Sequence, residues 1–191
     1  MRIAVTGAAS GIGSVIAGEL SSLGAHVAIC DKDAKRVQAF ADDHENIYAM
    51  VANVSDEADV INFFNGVKEK LGGLDALINN AGISGPMTNL EQFDFADWQE
   101  TISVNLNGTF LCSKEAIPML RAAGGGSIIN IGSTSSFFGT PLRSAYSATK
   151  WALIGLTKTW AMEYGHENIR VNAICPGSVN GPRIERVIKE E

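Results

Sequence analysis

The stretch that decides the fold is Arg2-Ile3-Ala4-Val5-Thr6-Gly7-Ala8-Ala9-Ser10-Gly11-Ile12-Gly13, followed by Ser14-Val15-Ile16-Ala17-Gly18-Glu19-Leu20. A short apolar run, Ile3–Thr6, stops at a glycine turn, and the turn opens a helical pattern over Gly11–Leu23. Glycine supplies positive φ without steric cost, and it lets a bulky ligand approach the main chain. A helix N-terminus adds unsatisfied N–H groups and the positive end of a dipole. Strand, turn and helix together predict a diphosphate cradle built from Gly7, Ser10, Gly11, Ile12 and Gly13. The spacing is G-x-x-x-G-x-G rather than the usual G-x-G-x-x-G of dinucleotide sites.

The same alternation continues outward along the chain. Further strands are expected at His26–Cys30, Ile47–Val51, Ala76–Asn79, Ser127–Ile131 and Arg170–Ile174. Helical patterns lie between them at Ala34–Asp43, Asp56–Leu71, Phe95–Ala123 and Ser144–Tyr164. In Asp56–Leu71, Val60, Phe63, Phe64, Val67 and Leu71 keep helical spacing, with Ser55 or Asp56 placed to cap it and Gly72-Gly73 to end it. The strands read as near-continuous apolar runs, as parallel strands covered on both faces do. This predicts an α/β fold: a Rossmann-like, doubly wound parallel sheet with helices on both faces, in one domain over residues 1–191. Val187-Ile188-Lys189-Glu190-Glu191 stops abruptly, so the domain is expected to be truncated at its C-terminus, lacking a seventh strand.

Strand two ends at Asp31, 18 positions after Gly13. A carboxylate there can accept hydrogen bonds from an adenosine ribose and would repel a 2′-phosphate. NAD is therefore favoured over NADP, although Lys32 stands beside the acid.

Composition sets limits. The chain has 191 residues, 46% hydrophobic and 19% charged, with net charge −6. An acidic surface would repel a phosphate backbone, which argues against nucleic-acid binding. No apolar run reaches the ~20 residues of a membrane span, and the first strand leaves no room for a signal peptide. Cys30, Cys112 and Cys175 are far apart in apolar settings without metal-ligand spacing, so they read as fillers in a reducing compartment. The expectation is a cytoplasmic protein without a metal.

Tyr146-Ser147-Ala148-Thr149-Lys150 opens the last long helix. Residues four apart share a helix face, so phenol and ammonium can meet in one pocket. A phenol titrates near ~10 when free, and a nearby cation favours its anion. Such a pair can move one proton in step with one hydride. Strand five runs into Gly132-Ser133, and strand four into Asn79-Asn80-Ala81-Gly82, both at the sheet edge where open α/β folds bind ligands. Asn105 interrupts a helical stretch, where its amide can bond a local backbone group or a water.

Taken in order, Thr6-Gly7 through Gly13, Asn79 to Gly82, Asn105, Ser133, Tyr146 with Lys150, and Cys175-Pro176-Gly177 resemble the short-chain dehydrogenase/reductase family over the whole chain. The resemblance implies that Tyr146 is the general acid/base, that Lys150 holds the nicotinamide ribose and favours the tyrosinate, and that Ser133 orients the substrate oxygen. It implies that Asn105, through a helix bend, positions a water for proton passage to Lys150. Asn80, Ala81 and Gly82 would flank the cofactor, and Pro176, Gly177 and Val179 would lie along the nicotinamide. At the end of strand three the family often has Asp-Val. Here it is Asn53-Val54, whose amide oxygen could still meet the adenine amino group.

The implied reaction is the interconversion of a secondary alcohol and a ketone with NAD. An epimerase or dehydratase would carry another turn spacing and a large sugar-nucleotide domain, and an enoyl reductase spaces its Tyr and Lys more widely. A non-catalytic dinucleotide sensor or scaffold would lack one of the four catalytic side chains, all of which are present. Candidate substrate walls are Ser84–Met87, Thr134–Pro141 and Ser178–Arg183, mixed polar and apolar. They leave open a 3-oxoacyl thioester, a sugar or polyol and a small hydroxy acid, and Asp31 turns the expectation towards a small polar alcohol. Trp151, Leu153, Leu156, Trp160 and Ala161 give the last helix more apolar surface than one face needs. A homodimer or homotetramer follows, since relatives pair this helix and the Phe95–Ala123 stretch across a two-fold axis.

Overall fold

A computed structural model describes residues 1–44 and 46–180. Six parallel strands, β1 (Arg2–Thr6), β2 (His26–Asp31), β3 (Ile47–Val51), β4 (Ala76–Asn79), β5 (Gly126–Ile131) and β6 (Ile169–Ile174), form one sheet in the order β3-β2-β1-β4-β5-β6. Each strand agrees with its expected span to within a residue. The winding reverses between β1 and β4, and a crevice opens there because successive crossovers leave in opposite directions.

Side chains alternate along each strand, so the sheet builds two cores. On one face Ile3, Val5, Val27, Ile29 and Ile78 pack with Ala17 of α1 (Gly11–Ser22) and Phe40 of α2 (Ala34–Asp43). On the other, Ala4, Ala28, Leu77 and Ile128 meet Phe63, Phe64 and Val67 of α3 (Glu57–Leu71) and Cys112, Ala116 and Leu120 of α5 (Gly108–Ala122). Burial pushes the Cys30 thiol up to about 12 and the Cys112 thiol well above its ordinary value, in keeping with inert fillers. All three cysteines are unpaired.

Helix α3 starts where Asp56 accepts a hydrogen bond from Asp59 N and ends at Gly72 in the left-handed conformation. The stretch from Phe95 is not one helix. α4 (Phe95–Ile102) passes through a π-helical turn, Ser103–Asn107, before α5 begins. The last helix is α6 (Ser144–Tyr164). Leu153 of α6 is buried, and Trp160 and Ala161 pack against the second core, so only part of its apolar surface is left outward, chiefly Trp151 and Met162. The expected helix-like tail at Val187–Glu191 lies outside the described residues. No helix among the described residues is long and apolar enough to cross a membrane.

Candidate active site

Strand β1 delivers the glycine turn to the crevice. Gly7 and Gly11 both take φ of +59°, which side chains rarely adopt. A Cβ on Gly13 would lie 2.7 Å from the Gly7 carbonyl oxygen and against Asn80 Nδ2. Outside Gly11 the space is open for 4 Å around a hypothetical Cβ. The N-terminus of α1 also lacks a side-chain cap from Ser10, whereas Asp33, Asp56 and Asp94 cap α2, α3 and α4. Open space beside uncapped N–H groups fits the diphosphate of a dinucleotide. Ser10 Oγ instead accepts from Arg36 Nη1 at 3.1 Å.

Strand β4 braces this turn. The Asn80 amide nitrogen donates to the carbonyls of Thr6 (3.0 Å) and Gly7 (2.8 Å). Thr6 Oγ1 accepts from Asn80 N and Ala81 N, both at 3.1 Å. The Asn80 side chain therefore shapes the turn, and what Asn80 and Ala81 offer the crevice is main chain. Thr6 opened the first family landmark in the sequence but was given no role there. A polar residue closing an apolar strand is its only signal.

Asp31 ends β2 with one carboxylate oxygen accepting from Ala9 N (3.3 Å) and the other from Asp33 N (3.2 Å). Asp33, not Asp31, caps α2. Asn53 differs from its sequence reading. Its Oδ1 accepts from Ser55 N (3.2 Å) and Ser55 Oγ (2.8 Å), so the oxygen is engaged in a local turn and the amide nitrogen is the group left for a base. The Val54 side chain is buried against Gly108, a contact that a Cβ on Gly108 would close to 2.7 Å.

Ser133 follows β5 and caps a short 3₁₀ turn, Thr134–Ser136. Its Oγ accepts from Ser135 N at 3.2 Å, which leaves the hydroxyl proton to be donated elsewhere. The neighbouring strand end is tied in, because Thr134 N donates to the Pro176 carbonyl at 3.0 Å. Gly177 and Val179 follow Pro176 and are exposed.

Tyr146 and Lys150 share one face of α6, and both are buried. Lys150 Nζ donates to the Ile131 carbonyl at 2.7 Å and lies 5.7 Å from the Tyr146 ring centroid. A Cβ on Gly82 would lie 3.7 Å from Lys150 Nζ and 3.2 Å from Asn105 Oδ1, so strand β4, the π-helical turn and α6 converge here. Asn105, fully buried, accepts from Ile83 N (2.7 Å) and donates to Ile83 O (2.9 Å) and Thr149 Oγ1 (3.1 Å). The Arg143 guanidinium sits over the Tyr146 ring, 4.4 Å from its centroid. Sequence gave no signal for Arg143. Its place follows from where α6 starts.

The family model for short chain dehydrogenases matches residues 1–191. The chain belongs to that family. Levodione reductase of Leifsonia aquatica is 34% identical over 195 residues, covering 98% of this chain and 73% of that protein. Trans-4-hydroxycyclohexanecarboxylate dehydrogenase of Sinomonas cyclohexanicum is 42% identical over 188 residues, covering 93% of this chain and 72% of that protein. Among solved structures, 3-ketoacyl-(acyl-carrier-protein) reductase from Brucella melitensis complexed with NADH superposes with a TM-score of 0.92 at 31% identity, over 96% of this chain and 77% of that one. This short-chain dehydrogenase is thus an oxidoreductase of the hydroxyl/keto class with a nicotinamide cofactor, rather than a non-catalytic binding protein.

Proposed function

We propose that this dehydrogenase interconverts a secondary alcohol carried on an apolar ring and the corresponding ketone, with NAD as the hydride partner. What supports the reading most is that Lys150, one turn after Tyr146 on α6, bonds the Ile131 carbonyl at the end of β5, two residues before Ser133, and lies beside Gly82 together with Asn105.

NAD, when bound, supplies hydride acceptance. Gly7 to Gly13 would hold its diphosphate and Asp31 its ribose hydroxyls. Val54, by its main chain, and Asn53, by its amide, would hold the base, and Gly82, Pro176, Gly177 and Val179 would hold the nicotinamide. In the oxidation direction Tyr146 receives the hydroxyl proton as the carbon releases its hydride, so one proton and one hydride leave the alcohol together. Ser133 donates its proton to the same substrate oxygen and holds it at Tyr146. Lys150, anchored by one N–H on the Ile131 carbonyl, brings its ammonium to the ribose and favours the tyrosinate. Asn105 positions the path by which the proton leaves past Lys150.

The substrate class departs from the small polar alcohol expected from sequence. The residues just after Ser133 expose aromatic surface, with Phe137 52% and Phe138 67% accessible. Leu142 and Val179 are exposed on the neighbouring segments. Such a wall favours a hydrocarbon ring over a polyol. The 42%-identical relative, named for a hydroxycyclohexanecarboxylate, supports the same choice. Ser178 to Asn180 complete the described part of the wall, and its expected end at Arg183 lies outside the described residues.

Exposed Phe95, Phe110, Trp151 and Met162 on α4, α5 and α6 support assembly as a dimer or tetramer through these helices. The unpaired cysteines support a cytoplasmic setting.

The test is NADH formation with a panel of cyclic and open-chain secondary alcohols. Ring alcohols should give kcat/KM at least about tenfold above open-chain polar ones. A reversed order would overturn the substrate class. NAD binding without NADH formation from any alcohol would overturn the catalytic reading.

A further inference from the structure

We infer that Thr149 is a positioning residue whose hydroxyl couples Asn105 to the turn of α6 that carries Tyr146 and Lys150. The inference rests on the roles proposed above for those three residues.

Thr149 is fully buried, and its Oγ1 has two partners from different parts of the chain. It accepts from Asn105 Nδ2 at 3.1 Å and donates to the Tyr146 carbonyl at 2.7 Å. In an α-helix that carbonyl is also the acceptor for the Lys150 main-chain N–H. The hydroxyl therefore grips the peptide unit that sets Tyr146 and Lys150 relative to one another. Its other bond reaches the π-helical turn Ser103–Asn107.

Asn105 explains why the bond matters. Its oxygen and one amide hydrogen are taken by the main chain of Ile83, at 2.7 and 2.9 Å. The second amide hydrogen goes to Thr149. Both residues are fully buried, so without the Thr149 oxygen that hydrogen would lack a partner away from water. Without that bond the π-helical turn loses its tie to α6, and Asn105 would shift relative to Lys150, and with it the route by which the proton leaves.

Thr149→Val keeps the shape and removes both bonds, and Thr149→Ser keeps the hydroxyl. Turnover is normalised to NADH sites titrated by fluorescence, so loss of folded protein does not register as loss of kcat. Thr149→Val should lower kcat roughly tenfold, displace the pH profile of kcat and leave NADH affinity within about threefold. Thr149→Ser should restore kcat to within about threefold of wild type. In an Asn105→Ala background, Thr149→Val should cost less than about twofold more, because the partner is already gone.

Three results would overturn the inference. These are an unchanged kcat and pH profile in folded Thr149→Val, a Thr149→Ser variant as impaired as Thr149→Val, or a full further loss in the Asn105→Ala background. Absence of turnover in the wild-type protein would instead overturn the underlying catalytic reading, and the inference with it.

Discussion

Asp31 meets two backbone N–H groups, Ala9 N at 3.3 Å and Asp33 N at 3.2 Å, and so stands fixed between the glycine turn and α2. A fixed carboxylate at this position would repel a 2′-phosphate by charge, as the proposed preference for NAD requires. The cations that a 2′-phosphate could use are already close, since Arg36 reaches Ser10 of the turn and Lys32 follows Asp31. Replacing Asp31 by Ser should therefore raise the NADP-to-NAD ratio of kcat/KM at least about tenfold, or ~1.4 kcal/mol. Steady-state rates with both cofactors measure this, and an unchanged ratio would refute the role. At this scale the sequence was legible where chemistry is rare. The spacing of Tyr146 and Lys150 is a weak signal alone, and it gains its weight from Asn105, from Ser133 at a strand end and from the glycine turn. Thr6, Arg143 and Thr149 were not legible, because each acquires its meaning from a partner distant in the chain or from a ring it happens to stack on. Asn53 shows the reverse case, in which a local competitor, Ser55, claims the oxygen that the sequence reading gave to a ligand.

Elements show the same division. The starts and stops were readable because caps have local causes, as Asp56 and Gly72 of α3 demonstrate. The interruption at Asn105 was readable too, but its form was not. The π-helical turn is held by bonds from Asn105 to Ile83 and Thr149, and no local propensity encodes those partners. In the glycine turn, contact rather than φ governs Gly13, which packs on the Gly7 carbonyl and Asn80. A methyl there must push the turn away from β4. Gly13→Ala should weaken NADH binding at least about tenfold in a fluorescence titration, and wild-type affinity would contradict the packing argument.

At the scale of the whole molecule, the doubly wound parallel sheet followed from the alternation of strands and helices and from right-handed crossovers, and the structure supplies its strand order. Burial was harder to read. Trp160 and Ala161 of α6 looked like interface surface but pack against the molecule's own second core, and Leu153 is buried within the chain. One long-range contact invites a stability test. Arg2 on β1 pairs with Asp75 ahead of β4, Nη2 to Oδ1 at 2.6 Å. The Arg2 hydrogen bond holds the Asp75 carboxyl below its ordinary range. The unfolded chain therefore binds this proton more readily than the folded one. The stabilisation is in place above the ordinary carboxylate value near ~3.9 and is lost as pH falls through the lowered one. Both side chains are about one-third exposed, at 29% and 32%, so the pair contributes no more than about 1 kcal/mol. Asp75→Asn should lower the urea midpoint at neutral pH and show less loss than wild type between about pH 5 and pH 3. Parallel wild-type and variant curves across that window would contradict the assignment.

The central claim is that Tyr146 moves the proton while the cofactor moves the hydride. Its most direct measurement is a paired assay of Tyr146→Phe, in which NADH affinity is titrated by fluorescence and alcohol-dependent NADH formation is followed on the same sample. The account predicts affinity within about threefold of wild type and a kcat at least about a thousandfold lower. Turnover near the wild-type rate, with the cofactor bound, would contradict it.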